Sequence, residues 1–164
     1  DYFKRRKEDV ELTEKRKVMY GLEADLLLKH TDSHKTLLDV GCGGGSFLRT
    51  FPESFYKIGT EYDAIAANEA VTSGIQCYIG DFNDLNISET PLDIVIFRGV
   101  IEHVVDPKKT LLKASKLLSD NGLLYITSTP NLDSVCAEIY QCYLLNDQFF
   151  GCTLHRSEFA KTAL

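Results

Sequence analysis

Apolar and polar positions change their spacing repeatedly along the chain. Five short runs rich in β-branched and aromatic residues are separated by segments with helical spacing or turn residues. These runs predict five strands, at residues 36–40, 56–61, 75–80, 92–97 and 123–128. The fourth run contains Ile94-Val95-Ile96-Phe97, which is apolar at every position, as in strands buried on both faces. The alternation predicts an α/β fold with a doubly wound, mostly parallel sheet flanked by helices.

Helical spacing precedes the first strand and separates the last two. Between about residues 11 and 30, Val18, Leu22 and Leu26 lie four apart, which predicts a helix that packs by this face. A second helix is expected to begin near Pro107, because proline favours the first helical turn, and to end before residues 120–122. One face of that helix is predicted to be largely apolar and another basic, comprising Leu111, Ala114, Ser115 and Leu118 against Lys109, Lys113 and Lys116.

We expect a single domain with three parts. Residues 1–35 form an N-terminal helical segment, residues 36–131 the core with the sheet, and residues 132–164 an incomplete helical segment that lies on the substrate side or forms a lid. The chain opens on charged residues with no apolar stretch behind them, so no secretory leader is expected. It contains no apolar run approaching the roughly 20 residues of a membrane span, so no bilayer crossing is expected either.

Charge and cysteine content limit the kinds of partner. The 164 residues carry a net charge of −6, which disfavours a nucleic-acid partner because phosphate backbones need clustered positive charge. The five cysteines include no C-x-x-C pair, so no metal site is predicted. We expect free thiols and therefore a reducing, cytoplasmic compartment.

Glycines and acids follow the predicted strands at the positions where ligands bind in such folds. The first strand runs into Asp39-Val40-Gly41-Cys42-Gly43-Gly44-Gly45-Ser46, a loop expected to precede a helix. Glu61 ends the second strand 20 residues after Gly41, a spacing typical of an acid that binds ribose hydroxyls. Asp81 follows the third strand. Three carboxylates are therefore expected at one edge of the sheet.

The charge of this edge distinguishes two nucleotide cofactors. A nicotinamide dinucleotide carries a pyrophosphate, which Asp39 would repel, and the sixth position of its usual glycine motif is here Ser46. S-adenosylmethionine instead offers a sulfonium, an ammonium, two ribose hydroxyls and an adenine amino group. Opposite charges about 4–6 Å apart in a partly desolvated cleft attract by a few kcal/mol. The acids therefore favour S-adenosylmethionine.

The ordered motifs resemble those of class I S-adenosylmethionine-dependent methyltransferases. The glycine loop is followed by Ile58-Gly59-Thr60-Glu61, Gly80-Asp81-Phe82, Asp93–Phe97 and Gly122–Ile126 in the family's order, and residues 100–107 and 129–131 resemble its small-molecule branch. The resemblance implies an S-adenosylmethionine-binding core over residues 36–131, with strand order 3-2-1-4-5 and then an antiparallel hairpin of strands 7 and 6. Residues 132–164 show no clear strand pair, so the sequence is expected to stop before strands 6 and 7.

The resemblance also implies roles for individual residues. Gly41, Gly43 and Gly45 with Asp39 would contact the methionine moiety, Glu61 the ribose, and Asp81 with the Phe82 backbone the adenine. The full set of expected cofactor-binding residues is Asp39, Gly41, Cys42, Gly43, Gly45, Glu61, Tyr62, Asp81, Phe82 and Arg98. The alternative for Asp39 and Asp81 is that each caps a neighbouring helix.

Methyl transfer needs alignment of the acceptor and, for a hydroxyl or amine, a base. His103 and Glu102, just after the fourth strand, are the candidates for this role, although the pair could instead orient the loop. Arg98 could bind an acidic substrate or pair with an acid. The expected acceptor is a small molecule or a saccharide-linked group. Two alternatives remain: a nicotinamide-dependent oxidoreductase and a non-catalytic cofactor-binding scaffold.

Overall fold

The computed structural model describes residues 14–31 and 35–129, which form a five-stranded sheet with helices on both faces. In chain order the elements are α1 (Glu14–Leu28), β1 (Thr36–Val40), β2 (Tyr56–Glu61), α2 (Ala64–Thr72), β3 (Gln76–Ile79), β4 (Leu92–Arg98), α3 (Pro107–Leu117) and β5 (Leu118–Thr127). The strand order is β3-β2-β1-β4-β5, and every neighbouring pair is parallel. The predicted doubly wound fold is confirmed. The predicted segment 132–164, and with it the expected lack of strands 6 and 7, lies outside the described residues.

Side chains of the central strands alternate between two apolar cores. Leu37 and Ile96 belong to the core beneath α1, whereas Leu38 and Val95 belong to the core on the opposite face, beneath α3. All four side chains are fully buried. This burial on both faces explains why the strand runs are apolar at consecutive positions.

The packing face predicted for α1 was wrong. Val18, Leu22 and Leu26 are all exposed, by 61%, 66% and 48%. The helix instead buries Ala24 and Leu27. Both groups of residues have helical spacing. The face that packs on the sheet is the one with Ala24, whose small side chain allows the helix to approach closely.

The helix expected after the glycine loop was also wrong. The connection from β1 to β2 contains a single 3-10 turn, Leu48–Thr50. Pro52 follows this turn, and proline cannot continue a helix interior. The segment is held instead by stacked aromatic rings, since Phe47 and Phe51 meet edge to face at 5.4 Å and Phe51 packs on Phe55 at 5.9 Å.

The boundaries around α3 and β5 differ from the prediction in one respect. Strand β5 begins at Leu118, ahead of the turn expected at residues 120–122. Leu118 pairs with Leu92 but Leu123 pairs with Ile94, so the intervening residues form an irregularity within the strand. On α3, Ala114 is buried as predicted but Ser115 is exposed.

Among the described residues, none of the helices combines the length and the apolar character that crossing a bilayer requires.

Candidate functional site

The glycine loop leaves β1 and folds back over the end of β2. The N–H groups of Gly41 and Cys42 donate to the Thr60 carbonyl, at 2.8 and 3.0 Å. Gly41 has φ of +72°, and a Cβ there would lie 2.7 Å from a Val100 methyl carbon. Position 41 therefore requires glycine both for its backbone conformation and for space.

Arg49 fixes the second half of the loop, a role that sequence analysis missed. Its guanidinium donates to the Gly44 carbonyl at 2.7 Å and to the Ser46 hydroxyl at 2.9 Å. Gly45 N–H also donates to the Cys42 carbonyl at 3.0 Å. The loop is thus held by its own chain in a defined conformation before any ligand binds.

Glu61 joins the loop to the end of β2. One carboxylate oxygen accepts from Gly43 N–H at 2.8 Å, and the other accepts from Asp63 N–H at 3.0 Å. A carboxylate oxygen has further lone pairs, so both oxygens can accept additional hydrogen bonds from a ligand. The side chain of Asp63 caps the N-terminus of α2 by accepting from the N–H groups of Ile65 and Ala66. Asp63 was not among the residues selected by sequence analysis.

Asp39 is a buried acid in the middle of this edge of the sheet. It is 3% exposed, and its Oδ1 has no hydrogen-bond partner within the described part of the chain. Burial raises the pKa of its carboxyl to about 8, with Arg98 opposing that rise and Glu61 and Glu23 adding to it. The alternative that Asp39 caps a helix is not supported, because β1 continues directly into the glycine loop.

Asp81 lies beyond β3 and is tied to Tyr62. The Tyr62 hydroxyl donates to Asp81 Oδ2 at 2.7 Å, and Asn83 N–H donates to Oδ1 at 2.7 Å. These hydrogen bonds, the first above all, lower the pKa of Asp81 below its usual value. Asp81 thus closes a tight turn rather than capping an α-helix. Tyr62 is 70% exposed, so the pair lies at the surface beyond the ends of β2 and β3.

The side chains of Phe82 and Arg98 contact other side chains of the protein. The Phe82 ring is buried and packs edge to face on Phe97 at 5.7 Å. Arg98 forms an ion pair with Glu23 of α1, with Nε 2.9 Å and Nη2 3.1 Å from the two carboxylate oxygens. Its guanidinium also lies 4.4 Å from the centre of the Tyr20 ring. The acid that pairs with Arg98 is therefore Glu23, which sequence analysis did not select.

Comparison with known proteins identifies the family. The chain matches a family described as methyltransferase domain over residues 12–159. It belongs to this methyltransferase family. The ubiquinone biosynthesis O-methyltransferase of Caulobacter vibrioides is 32% identical over 105 residues, covering 57% of this chain and 40% of the relative. This chain therefore spans well under two thirds of that relative's length.

Solved structures show the same fold. A S-adenosylmethionine-dependent methyltransferase from Thermotoga maritima matches 99% of this chain and 75% of its own, with a TM-score of 0.74 and 20% identity. A Haloferax volcanii methyltransferase, solved in complex with the Trm112 methyltransferase activator, matches 88% of this chain and 65% of its own, with a TM-score of 0.70 and 18% identity. The methyltransferase domain thus has the class I fold that the motif order predicted.

The two candidate bases of the methyltransferase domain occupy different environments. They belong to a 3-10 turn, Ile101–His103, directly after β4. Glu102 is 4% exposed and its Oε2 accepts from the Thr129 hydroxyl at 3.2 Å. His103 is exposed. The structure thus ties Glu102 to the protein and gives solvent access to His103, whose catalytic assignment stays a prediction.

Proposed function

We propose that this domain binds S-adenosylmethionine at the glycine loop and transfers its methyl group to a small-molecule or saccharide-linked acceptor. The observation that carries the proposal is Asp39, a buried acid whose Oδ1 lacks a partner among the described residues. Buried carboxylates are normally paired, because desolvation of the charge is costly. A cationic ligand is the partner that this position lacks.

The charges around Asp39 favour a cation over a pyrophosphate. Glu61 and Glu23 both add negative potential at Asp39, and Arg98 adds positive potential while forming an ion pair with Glu23. The surroundings therefore leave an excess of negative charge. A sulfonium and an ammonium would be attracted to it, whereas the pyrophosphate of a nicotinamide cofactor would be repelled. This argument supports the methyl donor over the oxidoreductase alternative.

Each part of the site has a task in this proposal. Asp39 and the loop would hold the methionine end, Glu61 the ribose hydroxyls, and Asp81 with the Phe82 backbone the adenine. Bound S-adenosylmethionine supplies a methyl group on a sulfonium, which leaves as a neutral thioether. The protein's contribution is to align the acceptor with that methyl group and to exclude water. Cys42, Tyr62 and Arg98 would shape the pocket around these contacts.

His103 is the candidate that would accept the proton of a hydroxyl or amine acceptor. It is exposed next to the end of β4 and can change charge near neutral pH. Glu102 would act as a positioning residue, since its carboxylate holds Thr129 on the neighbouring segment. The Caulobacter relative is named as an O-methyltransferase, which makes hydroxyl-bearing small molecules the first acceptors to test.

Binding and turnover need separate experiments. Calorimetry with S-adenosylmethionine and with the oxidised and reduced nicotinamide dinucleotides should show uptake of the first alone. An assay for S-adenosylhomocysteine over a panel of hydroxyl, amine and saccharide acceptors should then show turnover. Uptake of a nicotinamide cofactor in place of S-adenosylmethionine would refute the proposal. Tight uptake of the methyl donor without turnover, in the full-length protein and across the panel, would instead favour a scaffold.

A further inference from the structure

Two cysteines from distant parts of the sequence meet directly beside the glycine loop. Cys42 belongs to the loop and Cys77 to β3, and their sulfur atoms are 3.8 Å apart. Both are free thiols. A disulfide has a sulfur–sulfur distance of about 2.05 Å, so closure requires an approach of roughly 1.8 Å. Side-chain rotation with a small backbone shift covers such a distance.

The fold makes room for this pair at one position. Gly59 of β2 is the register partner of Cys77 on β3. A Cβ at Gly59 would clash with the Cys42 sulfur and would lie 3.5 Å from the Cys77 sulfur. The two thiols therefore fill the space above a glycine, and any larger residue at position 59 would drive Cys42 away from Cys77.

The two thiols differ in access and in acidity. Cys42 is buried at 8% exposure, whereas Cys77 is partly exposed. The two thiols are within hydrogen-bond distance and either could be the donor. This contact lowers the pKa of the Cys77 thiol, whereas the same contact together with burial raises the pKa of the Cys42 thiol. Cys77 is thus the thiol with more thiolate character and more contact with solvent, the two properties that govern reaction with oxidants.

We propose that Cys42 and Cys77 form a peroxide-sensitive dithiol whose closure to a disulfide weakens binding at the glycine loop. The Cys77 thiolate attacks one oxygen of hydrogen peroxide, the O–O bond breaks, and a sulfenic acid forms with release of water after proton transfer. The Cys42 sulfur then attacks the Cys77 sulfur, and a second water leaves with the Cys42 proton. In total, two thiols are oxidised to one disulfide and one peroxide is reduced to two waters.

The position of Cys42 connects this reaction to the ligand site. Its neighbour Gly43 donates to Glu61, and its own N–H donates to the Thr60 carbonyl. A bond from Cys42 to β3 pulls the loop towards that strand and turns the Gly43 amide away from Glu61. This part of the inference rests on the proposed function, because it takes the loop as the S-adenosylmethionine site.

The test begins with chemistry that is independent of any ligand. A variant with Cys136, Cys142 and Cys152 changed to serine keeps only the pair, and hydrogen peroxide should lower its intact mass by about 2 Da. Peptide mapping should then find Cys42 linked to Cys77, and dithiothreitol should reverse the link. The same map on the peroxide-treated wild-type chain provides the answer if the triple variant does not fold. An unchanged mass, or a link that omits Cys77, overturns the proposal.

The matched control removes one thiol. Cys77→Ser on the triple-serine background should show no loss of 2 Da. Cys42→Ser on that background should give a sulfenic acid at Cys77 that dimedone traps, which identifies the thiol attacked first. Dimedone adducts at Cys42 in Cys77→Ser but none at Cys77 in Cys42→Ser would contradict the assigned order.

Calorimetry with S-adenosylmethionine completes the test. Oxidation should weaken the affinity of the triple variant by about tenfold or more, reversibly, while peroxide-treated Cys77→Ser keeps its affinity. A confirmed Cys42–Cys77 link with unchanged affinity would refute the effect on binding. A confirmed link in a protein that takes up no S-adenosylmethionine when reduced would refute the proposed function, and the dithiol chemistry would stand.

Discussion

Two aspartates on adjacent central strands, one near the start of a strand and one near the end, have different roles. Asp93 lies near the start of β4, where its carboxylate accepts from Thr36 N–H at 2.9 Å and from Lys35 Nζ at 3.2 Å. Asp39 lies near the end of the adjacent β1, buried, with Oδ1 unpartnered in the described part of the chain. Both oxygens of Asp93 thus have partners, whereas Asp39 Oδ1 has none among the described residues.

The difference separates stabilising groups from binding groups. Asp93 joins the start of β1 to β4 through a backbone N–H and an ion pair, which lowers the free energy of the folded state. Asp39 raises the free energy of the folded state, because among the described residues only the charge of Arg98 offsets the desolvation of its carboxylate. Such a cost is typical of functional sites, where the missing partner is supplied by a ligand.

The largest effect should come from Asp39→Asn, which keeps the shape and removes the charge. Above pH 8, where the wild-type carboxyl is ionised, we expect affinity for S-adenosylmethionine to fall about a hundredfold, because a charge-assisted contact contributes about 2–3 kcal/mol. Calorimetry measures the change. An affinity within threefold of the wild type would show that Asp39 is not the group that binds the cation.

The same variant should be more stable than the wild type. The folded-state pKa of about 8 exceeds the ordinary value of 3.8, so the folded protein retains a proton that the unfolded chain loses. Wild-type stability therefore falls as pH rises from about 4 to about 8 and is level above that. Asp39→Asn lacks this loss and should gain about 2–4 kcal/mol at pH 8, measured by urea unfolding.

Glu61→Gln should have the next largest effect on binding. The amide can still accept from Gly43 N–H but loses the charge, so we expect affinity to fall about tenfold to thirtyfold. Adenosine, which has the ribose but lacks the sulfonium and ammonium, should lose affinity in Glu61→Gln and not in Asp39→Asn. Equal losses of adenosine binding in both variants would contradict the separate roles of the two acids.

The pH dependence of binding should follow the ionisation of Asp39. A cation binds the ionised carboxylate, so affinity should rise about fiftyfold between pH 6 and pH 8, in proportion to the ionised fraction of a carboxyl with a pKa of about 8. Calorimetry in buffers of different ionisation heat should also detect proton release on binding. The rise should be absent in Asp39→Asn and present in Asp93→Asn. If wild-type affinity did not change between pH 6 and pH 8, ionisation of Asp39 would not control binding of the cation.

The smallest effect should come from Asp93→Asn, the control for the comparison. It removes an ion pair whose two side chains are 28% and 24% exposed, and we expect a loss of about 1 kcal/mol in unfolding free energy. Affinity for S-adenosylmethionine should stay within twofold of the wild type. A tenfold loss of affinity would show that the contacts of Asp93, at the starts of the strands, affect ligand binding at the strand ends near Asp39.

Local patterns predicted those elements whose environment leaves one solution. The bounds of β1 and β2 agree with the prediction. In β1 the consecutive apolar positions Leu37 and Leu38 are buried on opposite faces of the sheet, which leaves this run no alternative packing. The face of α1 was wrong because two apolar stripes share helical spacing and only the tertiary partner, here a core containing Phe47, decides between them. The helix after the loop was wrong because glycine loops of this type usually lead into one, and Pro52 ends the turn early.

The site was predictable where residues are close in sequence, as in the glycine loop, and not where contacts are long-range. Glu23 and Arg98 are 75 positions apart, and no spacing rule connects an N-terminal helix to the end of β4. Cys42 and Cys77 are 35 positions apart and meet through the register of β2 with β3. Arg49 carried a detectable signal, since a basic residue just after a glycine loop lies within reach of its carbonyls.

Through the Glu23–Arg98 ion pair, α1 contributes to the electrostatic potential at Asp39. The negative charge of Glu23 offsets much of the positive potential that Arg98 produces at Asp39. If α1 were to move away, Arg98 would neutralise Asp39 on its own and the attraction for a cation would drop. On the proposed function, packing of α1 against the sheet and binding of a cationic ligand at Asp39 would therefore be thermodynamically linked, each favouring the other.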